Sequence, residues 1–181
     1  MYHPRSHARG ISLWESLATL SIVATLTAAA LPSFDDTFAR ARLVTGVNSM
    51  VGSLHFARSA AILRNIPTAV CLSGDGARCL EAAGTAARGW LVFYDVQRGG
   101  PVRIDAPDTL LRRIELPGRI TVQGSRAAVT YWPTARAGTT STFLMCHAAR
   151  PREGRAVVVS QTGRPRTVAD GSWTERLRCS A

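Results

Sequence analysis

The chain has 181 residues, 46% hydrophobic and 19% charged; that is enough apolar content for one folded domain and excludes a disordered polyelectrolyte. All 22 basic residues are arginine, against 12 acidic residues, for a net charge of +10. This excludes the composition of an ordinary acidic enzyme and points to a polyanionic partner, either nucleic acid or an anionic membrane surface.

Residues 1–10 are polar, with Arg5 and Arg9, and end at Gly10. From Ile11 to Leu31 there are 21 residues with Glu15 as the only charge. As a helix this run spans about 31 Å, enough to cross a bilayer core. A cleaved secretory signal has a shorter apolar run and a small-residue site at its far end. Here the small residue, Gly10, comes before the run. A carboxylate five residues beyond Gly10, inside an apolar helix, is costly unless it is partnered. Cutting after Gly10 would free the α-amine of Ile11, which can neutralise Glu15 of a neighbouring subunit when helices pack side by side. A plain anchor with an interfacial glutamate is the simpler alternative.

Pro32 is expected to kink the helix, because it removes an amide donor and clashes with the preceding turn. Beyond it, Leu43, Val47, Met50, Leu54, Ala57 and Ala61 recur at spacings of three and four, one apolar stripe of an amphipathic helix. Arg42, Ser49, Ser53 and Arg64 fall largely off that stripe. Met50 reads as core. His55 has no ligand-type neighbour at helical spacing and reads as packed or solvated. Pro67 ends the helix, since the residue before proline avoids the helical region.

The remainder reads as β: short runs of β-branched and aromatic residues separated by Gly, Pro and Asp. The predicted strands are Thr68–Leu72, Trp90–Tyr94, Leu111–Leu116, Arg119–Gln123, Ala127–Trp132, Thr142–His147, Arg155–Ser160 and Arg166–Val168. Arg176–Cys179 is a candidate last edge strand, and Ala82–Arg88 reads as a flexible loop. The fold class is α+β: one long helix whose second half packs on antiparallel sheet. The organisation is a leader over 1–10, a transmembrane helix over 11–31, its amphipathic continuation over 32–66 and a β-rich domain over 67–181.

Cys71, Cys79, Cys146 and Cys179 form an even set, which in an exported domain reads as disulfides. Four cysteines allow three pairings. Cys71–Cys79 is favoured because it closes a short turn containing Gly74, Asp75 and Gly76; Cys146 is then paired with Cys179, stapling the C-terminal tail to the sheet. A zinc site is disfavoured because no CxxC pair exists. The sequence has no GxSxG, HExxH, P-loop or GxGxxG motif, so neither catalysis nor a cofactor is expected.

The charge is uneven. Residues 1–111 hold 10 Arg and 8 acids, a net of +2; residues 112–181 hold 12 Arg and 4 acids, a net of +8. Within the second part, Gly163-Arg164-Pro165-Arg166 lies between two predicted strands, where glycine and proline shape a turn that projects both guanidinium groups. Their planar forks fit phosphate oxygens. Arg176 and Arg178 share a face if the tail is a strand, and Trp173 lies between the two arginine groups, where it could stack on a base or cover core. An exposed hairpin tip in an arginine-rich protein is the competing reading.

Gly10, Ile11, Ser12, Leu13 and Glu15 resemble the class III leader and N-methylation motif of type IV pilins and type II secretion pseudopilins. Ile11 stands where Phe is usual, and Trp14 is bulky where an aliphatic residue is common. Arg58-Ser59-Ala60-Ala61-Ile62 with Val70-Cys71, Gly89 to Asp95, Phe143 to Cys146, and Arg155 to Gly163 are similar to the GspH/FimT group of minor pilins. The resemblance implies cleavage after Gly10 by a prepilin peptidase, methylation of Ile11, and filament assembly through Glu15 with other major and minor pilins. It also implies a single-pass protein of the bacterial inner membrane, with a periplasmic domain, that later joins a pilus at the cell surface. Gly163-Arg164-x-Arg166 is similar to the DNA-binding motif of FimT minor pilins, which take part in DNA uptake during natural transformation; the implied partner is DNA, held by its backbone without sequence preference. The alternative is a structural tip or initiation subunit of the pilus, or a type II secretion minor pseudopilin. If the leader reading holds, Gly10→Leu leaves the leader attached, and mass spectrometry of membrane fractions finds the uncut chain; a mutant chain beginning at Ile11 would contradict it.

Overall fold

The computed structural model describes residues 12–96, 102–105, 108–134, 140–148, 150–169 and 177–179, without the side chains of 28–36, 150–153 and 169. The chain forms two compact units, Met1–Phe38 and Ala39–Ala181. Helix α1 spans Leu13–Arg64. The expected leader, with Gly10 and Ile11, lies outside the described residues.

In the first unit, Ser12 caps the helix: its Oγ accepts the amide N–H of Glu15 at 3.3 Å. Ser12-x-x-Glu15 has the pattern of a capping box and sets an acid in the first turn, where the helix dipole favours it. Leu13, Leu17, Leu20, Ile22, Val23 and Leu26 are exposed. The hydroxyls among them are turned inward onto the backbone. Thr19 donates to the Ser16 carbonyl at 2.9 Å, Ser21 to Ala18 at 2.8 Å, Thr25 to Ile22 at 2.8 Å and Thr27 to Val23 at 2.8 Å. Such back-bonding lets Ser and Thr sit in an apolar helix with their donors satisfied. Among the described residues, no helix is long and apolar enough to cross a membrane. The expected 11–31 span takes in residue 11 and the side chains of 28–31, which lie outside the description, as does the side chain of Pro32, where a kink was expected.

In the second unit the helix ends at Arg64, with Asn65 in the left-handed region (φ 55°) and Pro67 just beyond, a conformation that closes a helix C-terminus. Among the described residues eight strands follow: β1 Thr68–Ser73, β2 Gly89–Tyr94, β3 Thr109–Glu115, β4 Ile120–Gly124, β5 Ala128–Tyr131, β6 Ser141–His147, β7 Arg150–Val159 and β8 Pro165–Ala169. They form two four-stranded antiparallel sheets, ordered β3-β2-β1-β5 and β4-β6-β7-β8.

The helix stripe is the centre of the core. Leu43, Val47, Met50, Leu54, Ala57 and Ala61 are buried in one cluster with inward residues of both sheets, among them Val70, Trp90, Tyr131, Phe143, Met145 and Val157. Ser53, expected off the stripe, is buried instead. It is held there by polar bonds: it accepts the Trp90 indole N–H at 2.9 Å and donates to the Ser49 carbonyl at 2.8 Å. His55 is exposed. The Ala82–Arg88 segment is docked: Ala87 is buried and exchanges backbone hydrogen bonds with Val122 at 2.8 and 3.0 Å.

Each sheet has a second, smaller apolar face. In the first sheet Ala69, Cys71, Leu91 and Phe93 alternate with the core residues and pack with Cys79. In the second, Leu144 and Cys146 pack with Leu177 and Cys179. Both disulfides lie on these outer faces, as Cys71–Cys79 and Cys146–Cys179, with Cα atoms 5.5 and 5.4 Å apart. The first closes a turn organised by Asp75, whose Oδ1 accepts the N–H groups of Ala77 and Arg78 at 2.8 and 2.9 Å. Those backbone bonds hold its carboxyl down to about 2.

The tail is not the strand expected over Arg176–Cys179. Leu177–Cys179 forms no ladder, and Arg176 lies outside the described residues. Leu177, 3% exposed, and the disulfide hold the tail against the sheet without β pairing. The bridge closes a sequence separation of 33 residues, which in the chain-entropy account is worth about 4 kcal/mol. Cys146→Ser and Cys179→Ser are each expected to lower unfolding stability by a similar amount, and the double variant by no more. Denaturant titration measures this, and strictly additive losses would contradict the shared bond.

Candidate nucleic-acid interface

The segment between β7 and β8 is built by its local sequence. The Gly163 N–H donates to the Ser160 carbonyl at 2.8 Å, and Gly163 itself has φ +74°. The Ser160 N–H donates to the Arg164 carbonyl at 3.3 Å, and the Ser160 hydroxyl supports it at 3.3 Å. This is a tight turn followed by a left-handed glycine and a bulge, the hairpin form in which Gly is preferred at that position. Arg164 therefore sits at the base of the hairpin, and Arg166 belongs to β8, paired with Val158. The sequence placed Arg166 in a strand and both arginines near a turn; in the structure only Arg164 belongs to the connection.

Among the described residues β8 is the edge of its sheet, with no partner strand on its outer side. Pro165 and two exposed arginines suit such an edge, where a missing amide is tolerated and charge discourages strand addition. Register gives the face. Arg166 pairs with Val158 and Val168 with Ala156, and Ala156 pairs with Leu144. Leu144 is the residue covered by Leu177. Arg166 thus lies on the same sheet face as the tail, which carries exposed Arg178. The structure brings Arg166 and the tail that carries Arg178 onto one side of the second sheet, with exposed Arg164 two residues before Arg166 at the base of the hairpin, whereas Arg176 and Trp173 lie outside the described residues. Arg155, also exposed, falls on the opposite face by its register. No salt bridge joins Arg164, Arg166 or Arg178 to a carboxylate among the described residues. Three guanidinium groups with no acidic partner among the described residues can donate to phosphate oxygens, and the positive field around them favours a polyanion.

Two contributors escaped the sequence reading. Ser160 was legible in principle, since Ser-x-x-Gly between two strands signals this turn. Tyr131 was not: its hydroxyl donates to the Gly163 carbonyl at 3.1 Å across 32 residues of sequence. Burial pushes the Tyr131 phenol well above its ordinary range, and Arg58 opposes that shift in part. Among the described residues no cluster of His, Cys, Asp or Glu could hold a metal ion. Glu15 lies in the first turn of α1.

A family model described as "Type II transport protein GspH" matches residues 46–163. No curated protein matches the chain. Among solved structures the chain is similar to the type IV minor pilin FimU of Pseudomonas aeruginosa in two crystal forms. One gives a TM-score of 0.52 at 18% identity, covering 74% of this chain and 91% of that one. The other gives 0.50 at 18% identity, covering 70% and 92%. The minor pseudopilin EpsH from the Type 2 Secretion System of Vibrio cholerae gives 0.49 at 14% identity, covering 71% and 97%. The likeness to FimU shows a pilin-like α+β fold. The family match stops at Gly163, so it does not include Arg164 or Arg166.

Gly163→Ala forces an L side chain into the left-handed region, a strain of about 1–2 kcal/mol. Thermal unfolding should register that loss, and amide exchange in the β7–β8 turn should speed up more than in β1. Unchanged turn protection would contradict the role given to the glycine.

Proposed function

The chain belongs to the GspH family, and on that premise we propose that it is a minor pilin of a type IV pilus whose β7–β8 hairpin binds DNA during natural transformation. Family membership makes it a pilin-like subunit of a type IV pilus or a type II secretion pseudopilus. The observation that carries the finer reading is the pair Arg164 and Arg166, exposed beside a turn fixed by Gly163, with Arg178 on the same sheet face.

Binding on this account is backbone-directed. The surface is an edge strand and a tail, not a helix or ribbon shaped to enter a groove, so guanidinium–phosphate contacts dominate and sequence matters little. The rest of the reading follows the N-terminal residues. A prepilin peptidase cuts after Gly10, and Ile11 is methylated. The apolar start of α1 anchors the subunit in the inner membrane before assembly, with Glu15 pairing with the Ile11 amine of a neighbour in the filament. The inward-turned hydroxyls of Thr19, Ser21, Thr25 and Thr27 lower the cost of placing those residues in such a setting. The likeness to FimU in fold favours a second reading, a structural subunit of the pilus tip or initiation complex, or the corresponding minor pseudopilin.

Titration of labelled duplexes of unrelated sequence with the full chain in neutral detergent, at several salt concentrations, separates the two. Each phosphate contact contributes about 0.9 to the slope of log affinity against log salt. Arg164→Ala with Arg166→Ala is expected to weaken binding to all sequences alike and to flatten that slope by up to about 1.8. The variant stays folded, since exposed substitutions cost about 0.5 kcal/mol or less each. A folded double variant that binds like the parent makes the hairpin a structural edge and favours the second reading.

A further inference from the structure

We infer that Tyr131 is a positioning residue for DNA contact: its phenol ties the arginine-bearing hairpin of one sheet to the edge strand of the other. The inference rests on the DNA-binding reading above.

Tyr131 ends β5, the edge of the first sheet, and its side chain is fully buried in the main core. Its Oη donates to the Gly163 carbonyl at 3.1 Å. Gly163 is itself buried, while its neighbour Arg164 is exposed. The left-handed glycine therefore turns a carbonyl inward to the tyrosine and passes the chain outward to the arginine. The remaining bonds of the turn are local. Gly163 to Ser160, Ser160 to Arg164, and the Ser160–Thr162 hydroxyl pair at 2.8 Å all join residues within the turn. They set its shape but do not fix it to the rest of the domain. The Tyr131 bond does so, from a second sheet, at the residue next to the first arginine.

Burial raises the phenol above its ordinary range, with Arg58 opposing in part, so at neutral pH it is protonated and can donate. A hairpin at a sheet edge that is free to sway must be ordered when it binds, and that ordering reduces affinity. Fixing it beforehand removes the penalty. Such an effect differs from a lost contact. It changes affinity at every salt concentration while the number of phosphates touched, and hence the salt slope, stays the same.

Tyr131→Phe keeps the ring and its packing and deletes only the donor. In the full chain in neutral detergent, we expect it to weaken duplex binding by about threefold to tenfold with the salt slope unchanged. Amide exchange at Gly163 is expected to accelerate relative to β1. The control is Leu43→Ala, a core truncation on α1 that lowers the melting temperature without touching the hairpin. Weaker binding by Tyr131→Phe, faster exchange at Gly163 and parental affinity for Leu43→Ala support the inference. Unchanged exchange at Gly163, unchanged affinity in Tyr131→Phe, or an equal loss in Leu43→Ala overturns it. If affinity is unchanged in Tyr131→Phe but falls in the Arg164/Arg166 double variant, the positioning role fails and the DNA reading stands. If the parent does not bind duplexes at all, the DNA reading fails, and the inference with it.

Discussion

The buried stripe of α1 is the constraint on which the second unit depends. Leu43, Val47, Met50, Leu54, Ala57 and Ala61 offer one narrow apolar surface, and a single flat sheet would cover only part of it. Two four-stranded sheets cover it together, and inward residues of both join the six side chains in one buried cluster. The stripe also admits one polar group on strict terms. Ser53 is buried because the Trp90 indole needs an acceptor and Ser49 offers a carbonyl; an unpartnered donor there would be costly.

Covering the helix leaves each sheet with an outer face, and both outer faces are closed in the same manner. A short apolar patch, a segment folded over it and a disulfide occur on each. On the second sheet that segment is the C-terminal tail, whose closure places Arg178 on the face that bears Arg166. The basic surface is thus a consequence of how the tail is retained. Leu177 and Cys179 anchor it, and the arginine between them is left to the solvent.

Much of this was legible in the sequence. The eight strands of the described residues lie within a few residues of their expected bounds, because each is a short apolar or β-branched run bounded by Gly, Pro or Asp. β7 begins earlier than expected, at Arg150 instead of Arg155, and its ladder with β6 shifts register between Cys146 and His147. The division into two sheets was not legible. β5 returns to pair with β1 while β4 pairs with β6, and period-two alternation carries no information about which strands meet. The tail failed as a strand because Leu177 and Cys179 are held by burial and a covalent bond, which mimic strand spacing without a ladder. Of the site, the arginines and Gly163 were visible from chemistry and turn preference. Tyr131 was not, because only the fold brings it to Gly163.

The central claim is that phosphate is held by the β7–β8 hairpin and the stapled tail. The most direct measurement is a nuclear magnetic resonance titration of the isotope-labelled full chain in neutral detergent with a short duplex, following each assigned amide and arginine Nε–H. The account predicts that the largest shifts fall on Arg164, Arg166, Arg178 and the Ser160–Val168 backbone, and shrink as salt is raised. Shifts centred elsewhere, such as on the arginines of β3, or no shifts at low salt, would contradict it.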